Sequence, residues 1–187
     1  TMGLPPAVGI LLAVIICTVL GVTIEKVAYR PLRMASPLAV LITAIGVSYL
    51  LQNIALLVFG SNPKSFTSVV TIPALKLAGG RLTISGETLV TIVSCIVIMV
   101  VLTTFIKKTK AGQAMLAVSE DKGAAQLMGI NVDGTIALTF AIGSALAAIA
   151  GTLLCSAYPT LTPYTGSMPG IKAFVAAVFG GIGSIPG

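Results

Sequence analysis

Residues 88–106 read TLVTIVSCIVIMVVLTTFI, nineteen positions without a charge, entered from Glu87 and left into Lys107-Lys108. At about 1.5 Å rise per residue, a helix of some 20 residues crosses the roughly 30 Å hydrocarbon layer of a bilayer. An apolar segment alone in lipid must also satisfy its own backbone N–H and C=O groups, which a helix does and a single strand does not. Barrel strands would alternate apolar and polar side chains over about ten residues, and this run does not alternate. The reading is a membrane-spanning helix from about Thr88 to Ile106.

Working outward, three further uncharged runs have the same character: Ala7 to Ile24, Leu38 to Phe59 and Thr135 to Ala157, with a fifth beginning at Ile171 and running to the chain end. The whole chain fits that pattern. Of its 187 residues, 56% are apolar and 9% charged, and the mean hydropathy is +1.08, which excludes a water-soluble single domain. The expected fold is an all-α polytopic transmembrane helix bundle, with four complete helices and a partial or broken fifth, in one domain over residues 1–187. Thr1 at one end and the glycine-rich Pro186-Gly187 at the other read as cuts in a longer chain. The first apolar run follows Pro5-Pro6 without a basic flank and ends in charges, unlike a signal peptide.

Charge gives the orientation. The formal net charge is +6, but the basic residues fall in clusters between the apolar runs, a pattern of membrane-flanking loops and not of nucleic-acid binding. The links after the first and third runs hold seven (Lys26, Arg30, Arg33, Lys107, Lys108, Lys110, Lys122), whereas the link after the second holds three (Lys64, Lys76, Arg81). The seven belong in the cytoplasm by the positive-inside rule. The link over residues 60–87 is then extracytoplasmic. Within it, Leu75-Lys76-Leu77 and Leu82-Thr83-Ile84 flank Gly79-Gly80, which predicts a short β-hairpin, either an ornament over helix ends or a docking point for an external partner. The uncharged link Tyr158 to Gly170 contains Pro159, Pro163, Pro169, Gly166 and Gly170, so it should not be regular helix and should dip into the membrane edge against protein or a cavity.

Few polar groups lie inside the runs. Thr43, Gly46, Tyr49 and Asn53 share a face of the second helix, which should turn inward for packing or as a wall of a substrate path. Thr139, Gly143, Ala147 and Gly151 form a small-residue seam on the fourth. Lys172 is the lone charge of the fifth segment; it either snorkels to the outer interface or, beside the backbone amides of a helix start after Pro169-Gly170, attracts a substrate carboxylate. Breaks are expected around Pro163, Gly170, Gly180, Gly181 and Gly183. Cys17, Cys95 and Cys155 each sit alone in apolar surroundings and read as small hydrophobes. No His occurs, no metal-ligand cluster is present, and no Gly-rich phosphate loop ends in Lys-Ser or Lys-Thr. Neither a metal nor a cofactor is expected.

The stretch over residues 111–134 is too polar to span and too apolar for a linker. Met115, Leu116, Val118, Ala125, Leu127, Met128 and Ile130 recur at near-helical spacing, interrupted at Ser119-Glu120-Asp121-Lys122-Gly123. Two short helical pieces at the cytoplasmic membrane face fit this pattern. They either lie in the interface or present an apolar ridge and an acidic turn to a groove on a cytoplasmic protein.

Here the residues resemble a known family. Ala124-Ala125-Gln126-Leu127-Met128-Gly129 has the Ala-Ala, three residues, Gly spacing of the loop by which permeases of ABC importers contact their ATPases. Around it stand Lys110-Ala111-Gly112, Ala117-Val118-Ser119-Glu120-Asp121, Ile136 to Gly143 and Ala147 to Gly151; further away are Tyr29-Arg30-Pro31-Leu32-Arg33 and the glycine-rich run Gly170 to Gly187. Together these resemble the LivH-type permease subunits of high-affinity branched-chain amino acid ABC importers. Gly123 stands where many importers carry an acidic residue, and Leu116 where an Arg is frequent in this family. The resemblance implies a multi-pass protein of the bacterial inner membrane that performs no bond chemistry. It implies a partner permease subunit completing a heterodimeric pore, two cytoplasmic ATP-binding subunits, an external binding protein and an amino acid substrate. Ser119, Glu120, Asp121, Ala124, Ala125, Gly129 and Ile130 would couple to the ATPase, and Thr43, Tyr49, Asn53 and Lys172 would border the substrate path. Related permeases serve urea, amides or other amino acids. An ion-coupled carrier would need ionisable groups at mid-membrane depth, and the four complete runs carry none; a purely structural membrane subunit would leave the coupling stretch without a purpose.

Overall fold

In the computed structural model, the described residues are 6–32, 35–65, 75–77 and 82–181. The helices are α1 (Pro6–Ile24), α2 (Pro37–Phe59), α3 (Gly86–Lys108), α4 (Lys110–Glu120), α5 (Lys122–Leu127), α6 (Val132–Ala157) and α7 (Ser167–Gly180). Short strands β1 (Lys64–Ser65), β2 (Leu75–Leu77), β3 (Leu82–Ile84) and β4 (Thr160–Leu161) make two small sheets. Four helices are long and apolar enough to cross a membrane, over Val8–Leu32, Leu38–Phe59, Gly86–Lys108 and Val132–Ala157. The four-span reading therefore holds.

The helix ends differ from expectation where local hydrogen bonding extends them. Beyond Ile24, α1 passes into a π turn, Glu25–Tyr29, and a 3-10 turn, Arg30–Leu32. Lys26 and Arg30, read as loop residues, are therefore helical; the Arg30 N–H reaches back five residues to the Glu25 carbonyl. α6 begins three residues before Thr135 because the Asn131 side chain accepts the Gly134 N–H at 3.0 Å. The Pro-rich link is also shorter than expected, since α7 starts at Ser167 and includes Pro169 and Gly170. Proline is tolerated in a first turn, where its missing N–H has no intrahelical partner to lose. Lys172 consequently lies in the second turn of α7, not at its start.

The main packing is α1 on α6. At their crossing Gly21 is buried, and a Cβ placed there would overlap the Ser144 Oγ and lie 2.6 Å from the Ser144 Cβ. One turn further along α6, Ala148 is only 7% exposed. This row is offset by one residue from the predicted seam of Thr139, Gly143, Ala147 and Gly151. A Cβ added at Gly143 or Gly151 would meet nothing within 4 Å. Small residues occupy both rows, so spacing alone did not distinguish them; the close approach to Gly21 does.

α2 packs mainly near the π turn, and most of its length is exposed, as are the outer faces of α1, α3 and α7. Such surfaces suit hydrocarbon or further apolar protein and would be aggregation sites in water. The expected inward face of α2 is not packed: Tyr49 is 62% exposed and Asn53 is exposed. Within α2 itself, the Asn53 side-chain amide donates to the Tyr49 carbonyl at 2.7 Å.

The hairpin strands pair antiparallel with Leu75 opposite Ile84, Lys76 opposite Thr83 and Leu77 opposite Leu82. Its Gly79-Gly80 turn lies outside the described residues, as does Gly183. The second sheet had no signal in the pattern. β1 pairs antiparallel with β4, Lys64 opposite Leu161 and Ser65 opposite Thr160, and so fastens the link after α2 to the link after α6. Lys64 Nζ also lies over the Phe59 ring, 5.1 Å from its centroid.

Candidate functional site

The candidate site is the segment joining α3 to α6. α3 ends in a sharp corner at Thr109, whose hydroxyl donates to the Phe105 carbonyl at 2.7 Å and accepts the Gly112 N–H at 3.0 Å. One side chain thus closes α3 and caps α4. The corner is tight: a Cβ on buried Gly112 would sit 2.5 Å from the Ile106 carbonyl oxygen and 2.6 Å from that of Phe105. Only glycine fits without moving backbone.

α4 and α5 are separated by a single extended residue, Asp121. Its carboxylate accepts the N–H groups of Gly123 (2.7 Å) and Ala124 (3.1 Å), capping α5 at the end where a negative charge is favoured. α5 ends in a glycine-dependent turn. Gly129 has φ +80°, its N–H donates to the Gln126 carbonyl at 3.0 Å, and the Ile130 N–H donates to the Ala125 carbonyl at 3.1 Å. This paired pattern with a left-handed residue is the Schellman arrangement. Two residues later Asn131 opens α6, so the segment consists of two short helices held by caps at every joint.

The apolar ridge seen in the sequence divides between two directions. Val118 (6% exposed) and Ala125 (3%) face inward and seat α4 and α5 on the bundle. Leu127 (90%) and Met128 (83%) project from the turn after α5. Ile106, Met115, Phe140 and their neighbours line an open, mainly apolar cavity of about 410 Å³ between α3, α4 and α6.

Of the residues expected to couple, Ser119, Glu120, Asp121, Ala124 and Gly129 are exposed around this turn, Ile130 is half-buried and Ala125 is buried. Leu127 and Met128 belonged to the ridge but were absent from that set; their spacing was visible, while their outward direction needed the turn at Gly129. Thr43, Tyr49 and Asn53 lie on α2 and Lys172 on α7, and the Thr43 hydroxyl donates to the Ala39 carbonyl of its own helix at 2.8 Å. The structure does not gather these four into one site. Pro163 lies in the turn before α7, Gly170 lies inside α7, and Gly180 ends it, followed by Gly181 at φ +88°. No group of three or more His, Cys, Asp or Glu suited to a metal ion occurs among the described residues.

The chain is similar to known proteins over nearly its whole length. The chain is 44% identical over 97% of its length to the high-affinity branched-chain amino acid transport system permease protein LivH of Salmonella typhimurium. It is 42% identical over 94% of its length to the corresponding protein BraD of Pseudomonas aeruginosa. A probable LivH of Methanocaldococcus jannaschii is 28% identical over 99% of the chain. The chain spans 59%, 58% and 59% of the lengths of these relatives. No solved structure matches it. The family described as "Branched-chain amino acid transport system / permease component" matches residues 2–187. With its long apolar helices, the chain is a multi-pass membrane protein and belongs to the family of branched-chain amino acid transport permease components.

Proposed function

We propose that the chain is part of a pore-forming permease subunit of an ABC importer, carrying branched-chain amino acids across the inner membrane. The observation that carries this reading is the α4–α5 segment. It is capped at each joint, seated by Val118 and Ala125, and tipped by exposed Leu127 and Met128. Such a segment suits transmission of force more than catalysis. On this reading the tip docks on one of two cytoplasmic ATP-binding subunits, a second permease subunit completes the pore, and an external binding protein delivers substrate. The polar residues Ser119, Glu120 and Asp121 border the docking turn, and the subunit itself hydrolyses nothing. Residues 60–87 face outward and residues 111–134 face the cytoplasm.

The test is ATP-dependent uptake of labelled leucine into vesicles holding the complete permease pair, with and without the ATPases and binding protein. Uptake that requires every component is expected. Uptake by the permease pair alone, driven by an ion gradient, would replace the importer with a carrier, and stimulated ATPase activity without leucine uptake would change the substrate.

A further inference from the structure

Charge and burial coincide at the far end of α1, a place the coupling reading does not use. Glu25 is 1% exposed, the most deeply buried charged side chain among the described residues. A buried carboxylate is costly unless cations or hydrogen-bond donors surround it. Together with Lys26 and Arg30 of the same helix and Asp133 of α6, it lines a cavity of about 170 Å³.

The π turn places these groups. Its i→i−5 bond runs from the Arg30 N–H to the Glu25 carbonyl, and both residues line the same cavity. Arg30 then donates to Asp133 Oδ2 at 3.1 Å. Next to it the Tyr29 ring lies against that of Phe140, with centroids 5.0 Å apart and planes tilted by 42°. Asp133 is the second residue of α6, two positions after the Asn131 cap that ends the coupling segment. A displacement of α5 that moves the start of α6 therefore acts directly on this ion pair.

We propose that Arg30 and Asp133, seated beside buried Glu25, are positioning residues that join the end of α1 to the first turn of α6 and carry movement of α4–α5 into α1. This role rests on the importer reading above. α6 already packs on α1 at the Gly21–Ser144 crossing; the joint adds a polar link between the same two helices at the end nearest the α4–α5 segment.

The pair is more than half exposed on both sides, at 59% and 55%, and such pairs add little to stability. Its contribution is read better in coupling. In the full-length permease pair with its ATPases and binding protein, Arg30→Glu and Asp133→Arg should each lower leucine imported per ATP hydrolysed by about fivefold or more. The complex should still assemble. The double swap should return the ratio to the wild-type range, and Arg30→Lys should keep most of it. Unchanged ratios in both single variants, or a double swap no better than the worse single, overturn the joint. Should a reversal prevent assembly, Arg30→Gln, Asp133→Asn and their combination replace the set. Equal ratios for the combination and for either single are then expected, and independent losses overturn the proposal. If the wild-type complex hydrolyses ATP without importing leucine, the substrate reading fails and not the joint. Stimulation of ATP hydrolysis by the permease pair then decides it in the same variants: recovery in the double swap supports the joint, and simple addition of the single losses rejects it.

Discussion

Gly112 and Gly129 are glycines for different reasons, and substitution separates them. At Gly112 the obstacle is backbone, since a Cβ would press on the Ile106 and Phe105 carbonyls. Gly112→Ala should therefore cost about 1–3 kcal/mol through forced backbone shifts, read as a lower unfolding midpoint and a poorer yield of folded protein in detergent. At Gly129 the space is open and only the positive φ resists. Gly129→Ala should cost about 1 kcal/mol and leave transport largely intact. Gly129→Arg adds bulk next to Leu127 and Met128; it should leave membrane insertion intact and uncouple ATP hydrolysis from uptake, and unchanged uptake would reject docking at this turn. Asp121 tests the cap between the two short helices. Asp121→Ala should destabilise α5 by about 1 kcal/mol, whereas Asp121→Asn, which can still accept the Gly123 and Ala124 N–H groups, should lose much less. Amide exchange across residues 122–127 would show the difference.

At the scale of helices, the α1–α6 crossing depends on one missing methyl group. Gly21→Ala should weaken it because the new carbon falls on the Ser144 side chain, and adding Ser144→Gly should restore the unfolding midpoint. If the double variant is no more stable than Gly21→Ala, the crossing lies elsewhere. The existence of the spanning helices was legible because an uncharged run of some 20 residues has few alternatives in lipid. Their ends and faces were less so. Asn131 moved the start of α6 through a cap, and the i→i−5 bond from Arg30 to Glu25 kept α1 helical through charged residues. In the α4–α5 segment, the two short helices and their break were readable from apolar spacing around Asp121. The separation of inward Val118 and Ala125 from outward Leu127 and Met128 was not, because it depends on a turn whose direction no linear spacing encodes. The Arg30–Asp133 pair joins positions too far apart for any local pattern to link.

For the molecule as a whole, the arrangement is a partly covered bundle in which α1, α3, α4 and α6 touch while α2 and α7 present long apolar flanks. The orientation carries its own test. With the native cysteines replaced, Asn62→Cys should react with a membrane-impermeant maleimide in intact cells, and Lys122→Cys only after the membrane is opened. The reverse pattern would invert the topology and remove the coupling segment from the cytoplasm. Lys172, in the second turn of α7, has an equally direct test: Lys172→Met should reduce leucine uptake with normal ATPase assembly if the ammonium guides substrate, and unaltered uptake would leave it an interfacial anchor. The small β1–β4 sheet bears on how the protein is made. Lys64 and Ser65 leave the ribosome long before Thr160 and Leu161, and α3, α4, α5 and α6 must be threaded in between. Their pairing follows the synthesis of those four helices, a clasp that closes only once the α6 crossing is completed.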